Sequence, residues 1–148
     1  MMTDWQLTID CIDPAPLVPF WAEVLGYVPR PSPDGFDTWN DWYLSVGVPA
    51  DELDLTSDGC DRLEDPHGRG PKIWFQPVPE AKVVKNRLHL DVYVSGGRSV
   101  PIEQRRRAVD ARVAELVALG GSIDRVDDHA DHYCTVMRDP AGNEFCVA

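Results

Sequence analysis

The feature that most constrains the fold is an order of elements that occurs twice along the chain. Residues 5–12 (WQLTIDCI) alternate Leu7, Ile9 and Cys11 against Gln6, Thr8 and Asp10, the period-two mark of a strand with unlike faces. Asp13 and Pro14 then offer an N-cap and a first-turn proline to a helix carrying Leu17, Phe20, Trp21, Val24 and Leu25, which Gly26 ends. Pro19 lacks the amide that an interior helix position needs, which moves the expected regular start toward Pro16. The second half follows the same order. Residues 86–94 (NRLHLDVYV) read as a strand, Pro101 opens a helix whose apolar stripe is Val109, Val113, Leu116 and Val117, and Leu119-Gly120-Gly121 ends it as Leu25-Gly26-Tyr27 ends the first. Each half then carries a D-P-x-G turn, at 65–68 and 139–142, followed by an apolar strand at 72–78 and 144–148.

Between helix and turn each half has room for two more strands, at 27–30 and 42–48 in the first and at 122–127 and 133–138 in the second. A module of one helix and four strands leaves a sheet face that it cannot cover alone, so pairing of modules is the economical solution. The expectation is an α+β fold in which two tandem βαβββ modules form a curved mixed sheet around a pocket. The modules run over about 1–80 and about 86–148 of a single domain, 1–148.

A chain of 148 residues, 43% hydrophobic, suffices for one core. Its 14 basic and 25 acidic residues give a net charge of -11, a field that repels phosphate backbones and anionic lipid heads, so nucleic acid is not an expected partner. The start, Met-Met-Thr-Asp-Trp, lacks a basic segment followed by an apolar run, and no stretch approaches the roughly 20 apolar residues of a bilayer span. The expected location is the cytoplasm, with no membrane partner. Cysteines 11, 60, 134 and 146 form no C-x-x-C pair, which argues against a zinc knuckle or a redox pair and for thiols acting as small hydrophobes.

The stretches QLTIDCIDPAPLVPFWAEVLGY, WFQPVPEAKVVKNRLHLDVYV and DPAGNEFCVA resemble the vicinal oxygen chelate superfamily. More narrowly they resemble its glyoxalase-like, bleomycin-resistance-like branch. The resemblance is specific for fold and weak for reaction, because one scaffold there supports isomerisation, ring cleavage, thiol transfer and drug sequestration. In metal-using members the resemblance implies four ligands, from the first and last strand of each module. The first-strand position, seven residues before the Asp of the helix-opening turn, is Gln6; its counterpart, seven before Gly96, is His89. In the last strand the family often has a carboxylate seven residues after the Asp of D-P-x-G, where this chain has Cys146; Glu144 is the nearest carboxylate. The corresponding strand of the first module, KIWFQPV, offers Trp74, Phe75 or Gln76 and no carboxylate.

Hard divalent ions want about six oxygens, and this set is short of them. Zinc or iron suits His89 with Cys146 as thiolate. The metal candidates are therefore Gln6, His89 and Cys146, and the cofactor stays open between none and a divalent ion (zinc, iron, manganese or magnesium). The pocket candidates are Gln6, His89, Glu144, Cys146, Trp74 and Trp42, with Glu144 as the candidate general base. Each has a plainer alternative: His89 satisfied by a neighbouring strand, Glu144 turned to solvent, and Trp39, Trp42, Tyr43 and Trp74 building core rather than ligand wall. Asp127–His132 reads as a solvated hairpin tip, Arg105-Arg106-Arg107 as the wet face of the second helix, and Lys82, Lys85 and Arg87 as anchors of the link between modules.

The functional expectation is a glyoxalase-like protein that binds a small organic ligand in the groove between its modules, with a degenerate metal site, as a homodimer. The alternative is a divalent-metal enzyme, a lyase, isomerase or related catalyst, acting on a substrate with vicinal oxygens.

Overall fold

A computed structural model describes residues 3–148; the Met-Met pair of the expected leaderless start lies outside them. The chain forms two compact units, 1–79 and 80–148, each with its own four-stranded mixed sheet.

In the first unit, strand β1 (Gln6–Cys11) pairs in parallel with β4 (Lys72–Pro77), β4 pairs antiparallel with β3 (Arg62–Glu64), and β3 with β2 (Val28–Pro29). Helix α1 (Leu17–Leu25) begins after Pro16, as Pro19 requires, while Asp13 makes a separate turn by accepting the Ala15 amide. Gly26 caps it at φ 67°, a left-handed conformation that glycine takes without strain, and donates its amide to the Ala22 carbonyl. Leu17, Phe20, Trp21 and Val24 of α1 are buried, as are Leu63, Ile73 and Phe75 of the sheet. The other sheet face carries Gln6, Thr8 and Asp10 in register with Lys72, Trp74 and Gln76.

The strand expected at 42–48 is instead helix α2 (Trp39–Ser45), and the third strand lies later, at β3. Local chemistry decides this. Thr38 and Asp41 form a reciprocal capping box, with the Thr38 hydroxyl accepting the Asp41 amide and the Asp41 carboxylate accepting the Thr38 amide. Buried Asn40 donates to the carbonyls of Asp54 and Ser57, so α2 also organises the loop leading to β3.

In the second unit, β5 (Asp91–Val92) pairs in parallel with β8 (Glu144–Val147), which pairs antiparallel with β7 (His132–Arg138), and β7 with β6 (Ser122–His129). Helix α3 (Ile102–Ala118) starts after Pro101 and buries Val109, Val113 and Leu116, whereas Val117 is exposed. The Tyr133 hydroxyl donates to Asp110 of α3, so Tyr133, Thr135 and Met137 face the helix, and Cys134, Val136 and Arg138 face away.

Two expectations change here. The strand expected over 86–94 shrinks to β5, and Leu88 within that stretch is 84% exposed. Arg105 is not on the wet face: it lies four residues before Val109 on the buried stripe, donating to the Val100 carbonyl and to Asp131. Arg106 and Arg107 do lie outside the buried core. His129 and His132 close the β6–β7 hairpin as a cross-strand pair of exposed, stacked rings. Among the described residues no helix is long and apolar enough to cross a membrane.

Candidate functional site

The D-P-x-G turn before β8 fixes the site's orientation. Asp139 is buried and accepts the amides of Ala141 and Asn143, which delivers Glu144 and Cys146 to the sheet face turned from α3, while Phe145 and Val147 enter the core.

Glu144 is held on every side. Its carboxylate accepts Lys82 Nζ at 2.9 Å on Oε2 and 3.1 Å on Oε1, the Asn86 amide at 3.1 Å and Arg138 Nη1 at 3.0 Å. Burial by itself would raise its pKa, but the Asn86 amide and the Lys82 ammonium outweigh burial and hold it down at about 2. Lys82 also donates to the Val84 carbonyl, and so anchors the link, while Lys85 and Arg87 are exposed.

Cys146 stands opposite Asp91 in the parallel β5–β8 pairing. His89 Nε2 lies 3.3 Å from Asp91 Oδ1, and one ligand atom from each of His89, Asp91 and Cys146 fits within 4.8 Å of the others. Burial, then the neighbouring Cys134 and Asp91, push the Cys146 thiol up to about 11. The Cys134 thiol is raised as well, first by burial and then by Asp127. Neither is in a disulfide, nor are Cys11 and Cys60.

This trio differs from the expected ligand set by one member, Asp91. The signal was present in H-x-D, since residues two apart share a face in extended chain: His89 lies just before β5, and Asp91 of β5 stands opposite Cys146. Gln6 is exposed on β1 of the first unit, with Lys72 as its register partner. A nitrogen, an oxygen and a sulfur donor fit zinc or ferrous iron and do not fit magnesium or manganese, which require an oxygen-rich shell.

The aromatic candidates gather in the first unit around a cation. The Arg62 guanidinium lies 4.5 Å from the Trp39 ring centre, 4.9 Å from that of Trp74, and within 6 Å of those of Trp42 and Tyr43. Asp61, 3% exposed, accepts the Tyr43 hydroxyl at 2.6 Å, the Trp74 indole at 2.8 Å and Arg62 Nη1 at 2.7 Å. Burial first, then the Asp61 hydrogen bond, push Tyr43 up to about 12. Trp39 is core, whereas Trp42 and Trp74 are half-buried. Trp39 also lines a shallow cleft of about 320 Å³ with Arg30, Ser32 and Glu64. Asp61 and Arg62 were not anticipated from the sequence, where an acidic-basic pair before a short strand carries no distinguishing signal.

Residues 6–148 match the glyoxalase-like domain family, and the chain belongs to it, within the vicinal oxygen chelate superfamily. Solved structures agree at the level of fold. The chain is similar to a glyoxalase/bleomycin resistance protein/dioxygenase family enzyme from Burkholderia phytofirmans PsJN (TM-score 0.57, 17% identity, 98% of this chain and 97% of that one). It is also similar to a glyoxalase-related enzyme from Fulvimarina pelagi (0.56, 15%, 100% and 88%). A third likeness is to a glyoxalase/bleomycin resistance protein from Albidiferax ferrireducens T118 (0.52, 17%, 96% and 93%). Comparison with curated proteins finds no match.

Proposed function

We propose that this glyoxalase-like domain binds a small organic molecule against the sheet faces turned from α1 and α3, with a metal site that is degenerate relative to oxygen-rich sets. The observation that carries the reading is the state of Glu144. The carboxylate nearest the family's last-strand ligand position is engaged by Lys82, Arg138 and the Asn86 amide, and its low pKa makes it a weak proton acceptor. In this reading Glu144 orders the link and β8 rather than serving as a general base. His89, Asp91 and Cys146 supply hydrogen-bonding groups, and Gln6 and the half-buried Trp42 and Trp74 offer polar and aromatic contacts on the first unit.

The test is a thermal-shift screen of a broad library of small organic molecules, followed by calorimetry. At least one compound class should stabilise the protein, and His89→Ala should weaken its binding by roughly tenfold or more, the loss of a hydrogen-bonded polar contact. A library that leaves the melting temperature unmoved overturns the reading.

The His89–Asp91–Cys146 grouping favours a second reading, a divalent-metal enzyme. These three side chains would hold zinc or ferrous iron, which supplies Lewis acidity toward a substrate oxygen. Metal analysis of protein purified without a histidine tag separates the readings, since stoichiometric metal that Cys146→Ala releases would make the enzyme reading the leading one.

The reading also has the domain working in the cytoplasm, as a homodimer. Four cysteines outside any disulfide suit a reducing compartment, and exposed Val83, Val84, Leu88 and Tyr93 are apolar surface for a second copy to cover.

A further inference from the structure

Arg62 uses only part of its hydrogen-bonding capacity. Among the described residues, Nη1 donates to Asp61 and to the Tyr43 hydroxyl, whereas Nε and Nη2 have no protein partner. Neither atom is among the buried unpaired ones, so both reach solvent although the side chain as a whole is 14% exposed. The Nε–Nη2 edge of a guanidinium presents two parallel N–H groups, the spacing that a carboxylate matches with its two oxygens.

The surroundings preserve that edge. The Asp61 charge is spread over three donors, Tyr43, Trp74 and Arg62 Nη1, which leaves the outer side of the guanidinium electropositive. The nearby rings of Trp39 and Trp74 restrict the plane of the fork, so little rotamer freedom remains to be lost on binding. The half-buried Trp42 and Trp74 supply flat apolar surface beside it.

We propose that Arg62 is the anchor of an acid-binding slot: its Nε–Nη2 edge receives the carboxylate of a flat, conjugated organic acid, whose ring rests on Trp42 or Trp74. This assignment rests on the small-molecule reading and names the ligand class.

The experiment is calorimetry of the full chain with naphthoate and with neutral naphthamide, which share a ring system and differ in the charged fork acceptor. Naphthoate should bind at least about tenfold more tightly, the worth of a charge-assisted pair over a neutral one. Arg62→Lys keeps a cation beside Asp61 but has no two-pronged edge, and should narrow that preference severalfold. In the unmutated protein, the Arg62 Nε–H resonance should move on adding naphthoate and stay in place with naphthamide, a readout that needs no variant to fold. Equal affinity for the two probes, a preference undiminished in Arg62→Lys, or no naphthoate binding overturns the assignment. If that happens while the broad library still yields a binder, the small-molecule reading stands and Arg62 alone has failed.

Discussion

Lys82 Nζ lies 2.9 Å from a carboxylate oxygen of buried Glu144, and this pair ties the stretch before β5 to the last strand of the same unit. Lys82→Met removes one of the carboxylate's three partners and leaves Glu144 under-satisfied in a buried setting. The expected loss of unfolding free energy is about 1–3 kcal/mol, read from urea denaturation against the unmutated protein. An unchanged midpoint would mean that Arg138 and the Asn86 amide suffice.

The pH dependence follows from the same carboxylate. Its pKa is lowered on folding to about 2 from an ordinary 4.5, so its contribution to stability is fully present above about 4.5 and is lost as pH falls toward 2. Glu144→Gln should therefore flatten the acid limb of the stability curve in that window and leave its shape near neutral pH unaltered. Melting temperatures recorded from pH 7 down to pH 2 check this.

Magnesium and manganese should bind poorly, with purified protein carrying well under one equivalent of either. Cys146→Glu should raise affinity for both by adding a charged oxygen opposite Asp91, and His89→Ala in that background should remove the gain. Equilibrium dialysis with metal analysis gives the answer. A Cys146→Glu protein no better at binding these ions would contradict the proposed ligand grouping.

Asp61→Asn replaces the anion that Tyr43, Trp74 and Arg62 share, leaving a cation among aromatic rings without its counter-charge. A destabilisation of about 3 kcal/mol is expected, together with a fall in the Tyr43 pKa from about 12 toward, but not to, the ordinary value of 10.0, since burial remains. Alkaline titration followed by tyrosinate absorbance measures that fall.

Sedimentation at micromolar concentration should give a species of twice 16.5 kDa. Tyr93, 80% exposed, and Leu88 are the side chains to perturb. Tyr93→Asp or Leu88→Asp should shift the equilibrium toward monomer without lowering the intrinsic stability of the units. A single 16.5 kDa species in the unmutated protein contradicts the dimer.

The repeat was legible because alternation in 5–12, the Leu-Gly ends of two helices and the paired D-P-x-G turns are local signals that survive divergence. The helix at Trp39–Ser45 was not, because aromatic residues favour strands and the capping box of Thr38 and Asp41 leaves only a faint mark in the sequence. His89 and Cys146 were found by position. Asp91 joined them only when strand register put it opposite Cys146. The engagement of Glu144 depends on Lys82, Asn86 and Arg138, and the partners at 82 and 86 lie about sixty residues away along the chain, a separation at which no periodicity speaks.

The parallel pairing of the first strand with the last in each unit has a consequence for synthesis. In each sheet the strand before the long helix has a single neighbour, β4 for β1 and β8 for β5, and that neighbour is made last. β1 must wait with an unpaired edge until Lys72–Pro77 has emerged, and β5 likewise until Glu144–Val147 follows. Each nascent unit thus passes through a stage in which a ribosome-associated chaperone would have a bare strand edge to shield.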